Sequence, residues 1–127
     1  MPTLPTYHDP ADPSQTTPAA AERLLVTGRA TLLDVREEDE FCAGRAPSAR
    51  WLPLGDLAAG AGLPAGIAGH PDHPVLVVCR SGSRSGQAVA LLTARGVTAR
   101  NVAGGMRAWA RAGLPLVTAD GTVGQVI

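Results

Sequence analysis

Four consecutive apolar β-formers, Val75-Leu76-Val77-Val78, run without a break into Cys79-Arg80-Ser81-Gly82-Ser83-Arg84-Ser85-Gly86, and no other segment constrains the fold as much. A strand that is apolar at every position buries both of its faces, so the sheet that holds it is covered on both sides and this strand is central. After the Gly/Ser loop, Gln87 to Arg95 carries Ala88, Val89, Leu91 and Leu92 on a helical pattern that Gly96 ends. The unit is strand, loop, helix.

The same alternation extends along the chain. Thr17-Pro18 opens a helix, Thr17 as N-cap and Pro18 in the first turn, that runs through Leu24 and Leu25 to Gly28. Ala30 to Val35 reads as a short buried strand with Asp34 near its end. Glu37 to Ala43 reads as a short helix whose acidic first turn suits the positive end of the helix dipole, with Phe41 and Cys42 as its apolar contacts. Trp51 to Leu54 and Val97 to Val102 are further strands, Gly55 to His73 is loop and short helical turns, and Met106 to Ala112 is a helix with Met106 and Trp109 facing the core. Such alternation predicts an α/β fold, a central and mostly parallel sheet with helices on both faces.

A chain of 127 residues holds one such domain. It is expected over residues 17–117. Residues 1–16 read as an extended Pro-rich arm, and residues 118–127 as a tail that either frays or pairs with a sheet edge.

All eleven basic residues are arginine. Without lysine the chain cannot form a Schiff base with pyridoxal phosphate, build a Walker-type phosphate loop or tether biotin or lipoate. Eleven acidic residues bring the net charge to zero, yet residues 1–63 carry −4 and residues 64–127 carry +4, so the second half attracts anions. A balanced total with one Phe, one Tyr and two Trp argues against nucleic acid. Two cysteines outside any CxxC pair indicate neither a disulfide scaffold nor a zinc site. With no span-length apolar run and no secretory pattern at the N-terminus, the sequence reads as cytoplasmic, with no membrane partner.

Cys79 falls where the central strand ends and a helix begins, the position at which open parallel sheets bind ligands. Backbone N–H groups curling into a helix N-terminus form an anion cradle, and Arg80 and Arg84 add positive charge, a setting that lowers a thiol pKa and favours the thiolate. Gly82 lets the loop tighten, while Ser81, Ser83 and Ser85 offer hydroxyls to a sulfur anion or to the helix end. A cysteine closing a strand is ordinarily a packing residue. Two arginines and a Gly/Ser loop around it turn the reading toward a nucleophile.

Three segments, LLDVREEDEF at Leu32 to Phe41, VLVVCRSGSRS at Val75 to Ser85 and NVAGGMRAWARAGLPL at Asn101 to Leu116, together resemble a single-domain rhodanese. The resemblance covers about Thr17 to Leu116. It implies a rhodanese-like fold and sulfur transfer through a Cys79 persulfide, from a small anionic donor such as thiosulfate to cyanide or a thiol, with no cofactor and no metal. It also implies a choice of chemistry by loop length. Rhodanese-like phosphatases place five residues between Cys and Arg; here four separate Cys79 from Arg84, which resembles the sulfur-transfer type and disfavours a phosphatase or arsenate reductase. A persulfide carrier or redox-interaction module serving a sulfur-relay protein is the alternative of a different class.

On this reading Arg80 points outward to meet the donor, and Arg84 orients the loop or binds the donor's sulfonate end. Asp34 and Arg36 match the family's Asp-Val-Arg segment and tie a strand end to neighbouring loops. Arg45 stands where the family pattern has His, in GRAPSA instead of GHIPGA, and adds to the field at the mouth of the site. Cys42 is read as a buried packing residue in preference to a resolving thiol. His70 and His73, in HPDH, lack a third ligand and read as exposed loop.

Overall fold

The structure, a computed structural model, describes residues 12–127. In chain order the elements are β1 (Gln15–Thr16), α1 (Pro18–Val26), β2 (Thr31–Asp34), α2 (Glu38–Ala43), β3 (Arg50–Trp51), α3 (Leu54–Ala58), β4 (Val75–Val78), α4 (Ser83–Ala94), β5 (Ala99–Val102) and α5 (Gly105–Arg111). The five strands form one sheet in the order β1-β5-β4-β2-β3, and every pairing is parallel. The apolar run at 75–78 is the middle strand.

Its lack of alternation has a direct cause. Val75 and Val77 join Leu33, Leu57, Ala88, Val89 and Leu92 in one core, under α3 and α4. Leu76 and Val78 join Leu32, Val102, Met106 and Trp109 in a second core, under α1 and α5. All four residues of β4 are fully buried, each burial stabilising the fold by about 1.5–3 kcal/mol. Trp109 settles its one polar atom by donating from Nε1 to the Pro115 carbonyl at 2.7 Å.

The predicted elements are present with shifted ends. Thr17 caps α1 through its Oγ1, which accepts from the Ala20 N–H at 3.2 Å. Glu37 caps α2 in a reciprocal box with Glu40. The strand expected at Trp51 to Leu54 is only Arg50–Trp51, because Pro53 has no N–H for a ladder and instead caps α3. Gln15–Thr16, inside the stretch read as an arm, pairs with β5 as an edge strand; the rest of that arm, up to Ala11, lies outside the described residues.

The tail neither frays nor joins the sheet. Val117 bridges Arg45 and Val123, the Gln125 N–H donates to the Ala43 carbonyl at 2.9 Å, and Val126 packs on the α1/α5 core. Gly44 makes this return possible, since a Cβ there would collide with the backbone of Gln125. Among the described residues no helix is long and apolar enough to cross a membrane.

Candidate active site

Cys79 follows the C-terminal end of β4, and α4 begins at Ser83, four residues before its apolar pattern does. The polar stretch Ser83-Arg84-Ser85-Gly86 is therefore the first turn of the helix; the N–H groups of Ser83, Arg84 and Ser85 have no intrahelical acceptors, while that of Gly86 donates to the Gly82 carbonyl at 3.1 Å. Gly82 makes the turn at φ +112°, a left-handed conformation that side-chain-bearing residues rarely adopt. Its N–H donates to Cys79 Sγ at 3.1 Å.

A second element holds the loop from outside. The Met106 N–H donates to the Cys79 carbonyl at 2.7 Å and the Arg107 N–H to the Arg80 carbonyl at 3.0 Å. These bonds turn the loop's carbonyls toward the N-terminus of α5 and away from the sulfur. The approach is so close that a Cβ on Gly105 would sit 2.5 Å from the Cys79 oxygen. Gly104-Gly105 is the seat of the Cys79 loop.

The sulfur is almost wholly enclosed, Cys79 being 1% exposed. Burial pushes its thiol pKa up, but hydrogen bonds from the Ser85 hydroxyl and from the N–H groups of Ser85, Gly82 and Ser81 outweigh burial, so the net shift is downward from the ordinary 9.0. The sequence reading credited the backbone N–H cradle and the two arginines together; in the structure the hydrogen bonds from Ser85, Gly82 and Ser81 lead. Ser85 Oγ lies 3.2 Å from Sγ and donates to Asn101 Oδ1 at 2.5 Å, while Asn101 Nδ2 donates to the Gly82 carbonyl at 3.2 Å. Asn101 went unnoticed in the sequence because a polar residue in a strand carries no signal of its own.

Arg84 is held by a partner that sequence reasoning also missed. Its Nη1 and Nη2 donate to Glu40 Oε1 and Oε2 at 2.7 and 2.8 Å, a bidentate pair between α4 and α2. The Arg84 guanidinium beside it draws the Glu40 carboxyl down to about 2. The residue visible in sequence was the acidic turn; its aim at Arg84 required the fold. Since the folded pKa is depressed, the tie is intact above the ordinary carboxyl value and lost as pH falls toward about 2. A Glu40→Gln variant is expected to retain the fold and lower turnover a few-fold, checked by steady-state kinetics beside a thermal melt.

Arg80 is exposed at the rim. Its Nε donates to the Ile127 carbonyl oxygen at 2.9 Å, so the returning tail borders the site. Ser81 and Ser83 are exposed on the loop.

Asp34 and Arg36 form a fully buried pair in which Nη2 meets Oδ2 at 2.8 Å and also donates to the Gly44 carbonyl at 2.7 Å. Arg45 does not bond to the loop; its guanidinium lies 4.4 Å from the centroid of Phe41, which stacks on Trp51. Cys42 is exposed, contrary to the packing role read for it, because α2 buries none of its residues. His73 Nε2 and Thr31 Oγ1 are hydrogen-bonded at 3.1 Å, fixing that loop to β2.

Residues 17–112 match the family profile of the rhodanese-like domain. The chain belongs to the rhodanese-like family. This rhodanese-like chain is 38% identical over 103 residues to a sulfurtransferase of Allochromatium vinosum, covering 80% of this chain and 91% of that one. It is 35% identical over 112 residues to the thiosulfate sulfurtransferase GlpE of Actinobacillus succinogenes, covering 85% and 94%. Among solved structures it is similar to the human single-domain sulfurtransferase TSTD1, with TM-score 0.66 and 34% identity over 77% of this chain and 96% of that one. Its enzyme class is that of the rhodanese-type sulfurtransferases.

Proposed function

We propose that the protein moves a sulfane sulfur from thiosulfate, or a donor of like charge, to cyanide or a thiol, with Cys79 alternating between thiolate and persulfide. The observation that carries this reading is the enclosed, hydrogen-bonded Cys79 sulfur at the floor of a six-residue loop. The thiolate attacks the outer sulfur of thiosulfate; the S–S bond of the donor breaks and sulfite leaves with its electron pair. The outer sulfur of the resulting persulfide keeps one negative charge, which the inward N–H groups of the loop stabilise. A nucleophilic acceptor then bonds that sulfur, and Cys79 leaves as thiolate. Atoms and charge balance with no cofactor, in a reducing, cytoplasmic setting that keeps the thiol free.

Arg84, held by Glu40, positions the loop, and Arg80, at the rim, meets the donor's sulfonate. The test is thiocyanate formation from thiosulfate and cyanide beside turnover of an aryl phosphate. Thiocyanate without phosphate release is expected, and Arg80→Ala raises KM for thiosulfate by about tenfold, the worth of one charge-assisted contact. Robust aryl phosphate hydrolysis would overturn the reading. Negligible thiosulfate turnover with fast loading from a protein persulfide would replace it with a carrier.

Ser85 has one hydroxyl proton and two acceptors, the Cys79 thiolate and Asn101 Oδ1. Removing the donor and removing the competitor are therefore expected to act in opposite directions. Ser85→Ala raises the thiol pKa read from the pH dependence of alkylation, whereas Asn101→Ala lowers it. A rise of equal size in both variants would show Asn101 to be a simple prop.

A further inference from the structure

A second cluster of arginines lies at the opposite end of the sheet from Cys79. Helix α1 starts where β1 ends and runs back, so its last turn reaches the edge at which β2 begins; Cys79 follows the other end of β4. Toward that edge Arg23, Arg29 and Arg100 line one cavity of about 320 Å³, which runs along α1 past Thr16, Ala20, Leu24 and Thr27. No acidic residue lines it. Among the described residues the ion pairs are Asp34–Arg36 and Glu40–Arg84, and no hydrogen bond engages the side chains of these three arginines.

Arg100 is the most telling of the three. The register sets it beside Leu76, in a row whose members Leu76, Val78 and Val102 are fully buried against α1 and α5. A half-buried guanidinium in an apolar row is costly without a counter-charge, and three like charges around one cavity repel each other. Ala20 and Leu24 give the cavity an apolar wall. The last carbonyls of α1 are taken up locally, by the Thr27 hydroxyl at 2.8 and 3.2 Å on Arg23 and Leu24 and by the N–H groups of Thr27, Gly28 and Arg29.

We propose that this cavity binds a small organic phosphate, its phosphate held by the guanidinium groups of Arg23, Arg29 and Arg100 and its apolar body lying against Ala20 and Leu24. Planar guanidinium forks suit phosphate oxygens, and the volume suits a ligand of modest size. The site is separate from the sulfur chemistry and stands without it.

The experiment titrates phenyl phosphate into the full-length protein and follows backbone amides and arginine Nε–Hε groups by NMR. Expected are saturable shifts at Ala20, Leu24, Thr27 and the three arginines, with inorganic phosphate binding more weakly for want of the ring. Arg100→Gln and the double variant Arg23→Gln with Arg29→Gln each weaken binding by about tenfold or more. Arg23 and Arg29 are exposed, so the double variant answers the question even where Arg100→Gln fails to fold. Shifts confined to residues 79–86, or unchanged affinity in the variants, would overturn the proposal. So would binding of an acidic peptide such as hexaglutamate at these arginines without any of phenyl phosphate, which points to a protein partner.

Discussion

Cys79→Ser is expected to abolish sulfur loading while leaving the fold intact. Wild-type protein incubated briefly with thiosulfate gains the mass of one sulfur atom, which cyanide removes as thiocyanate; the serine variant gains nothing, and turnover falls by roughly a thousandfold or more. A serine hydroxyl keeps the volume and can accept the Gly82 N–H, so thermal stability changes little. It is not ionised at neutral pH, and the cradle that suits a thiolate cannot make it so. Intact mass reads the adduct directly and places it on one residue, since Cys42 is the other cysteine of the chain. An adduct that survives in Cys79→Ser and disappears in Cys42→Ser would move the chemistry to the exposed thiol of α2. The pH dependence carries a further sign. Because the Cys79 pKa is depressed in the folded protein, the loading rate is expected to rise with pH through a midpoint below the ordinary 9.0 and then level.

How much of this was legible in the sequence depends on whether a feature is local. The four apolar residues of β4, the cap at Thr17 and the loop from Cys79 to Ser85 act through neighbours in sequence, and the chain announces them. Helix α4 was read four residues short because its first turn, Ser83-Arg84-Ser85-Gly86, is polar and carries no apolar periodicity. Glu40, Asn101 and Gly105 act on the loop from 44, 16 and 20 or more residues away in sequence, and their residue types alone have many uses. The tail was undecidable for a similar reason. Its partner is the backbone around Gly44, and backbone carbonyls look alike from every sequence.

The largest stability effect is expected at Asp34, which lies beside Val78 in the neighbouring strand. Its carboxylate accepts from the backbone N–H of Arg36 at 3.1 Å and from Nε and Nη2 of the same residue, and neither side chain of the pair is exposed at all. Asp34→Asn keeps the shape, but it leaves a guanidinium buried without a counter-charge, at a cost of about 3–5 kcal/mol. That is a large share of the roughly 5–15 kcal/mol that holds a domain of this kind together, and it corresponds to a melting temperature lower by about 10–20 °C. Replacing both partners by apolar residues, Asp34→Leu with Arg36→Met, is expected to recover part of the loss. Recovery is incomplete because the Gly44 carbonyl loses its donor and the Arg36 N–H its acceptor. Circular dichroism melts of the three variants check the order: the double variant above Asp34→Asn, and both below wild type. A melt of Asp34→Asn within a few degrees of wild type would mean that the pair is dispensable. The same variant is expected to lose turnover at temperatures where it is still folded. Arg36 holds the carbonyl of Gly44 at the end of α2, and α2 carries Glu40 to Arg84, so slack at the buried pair reaches the loop that holds the sulfur.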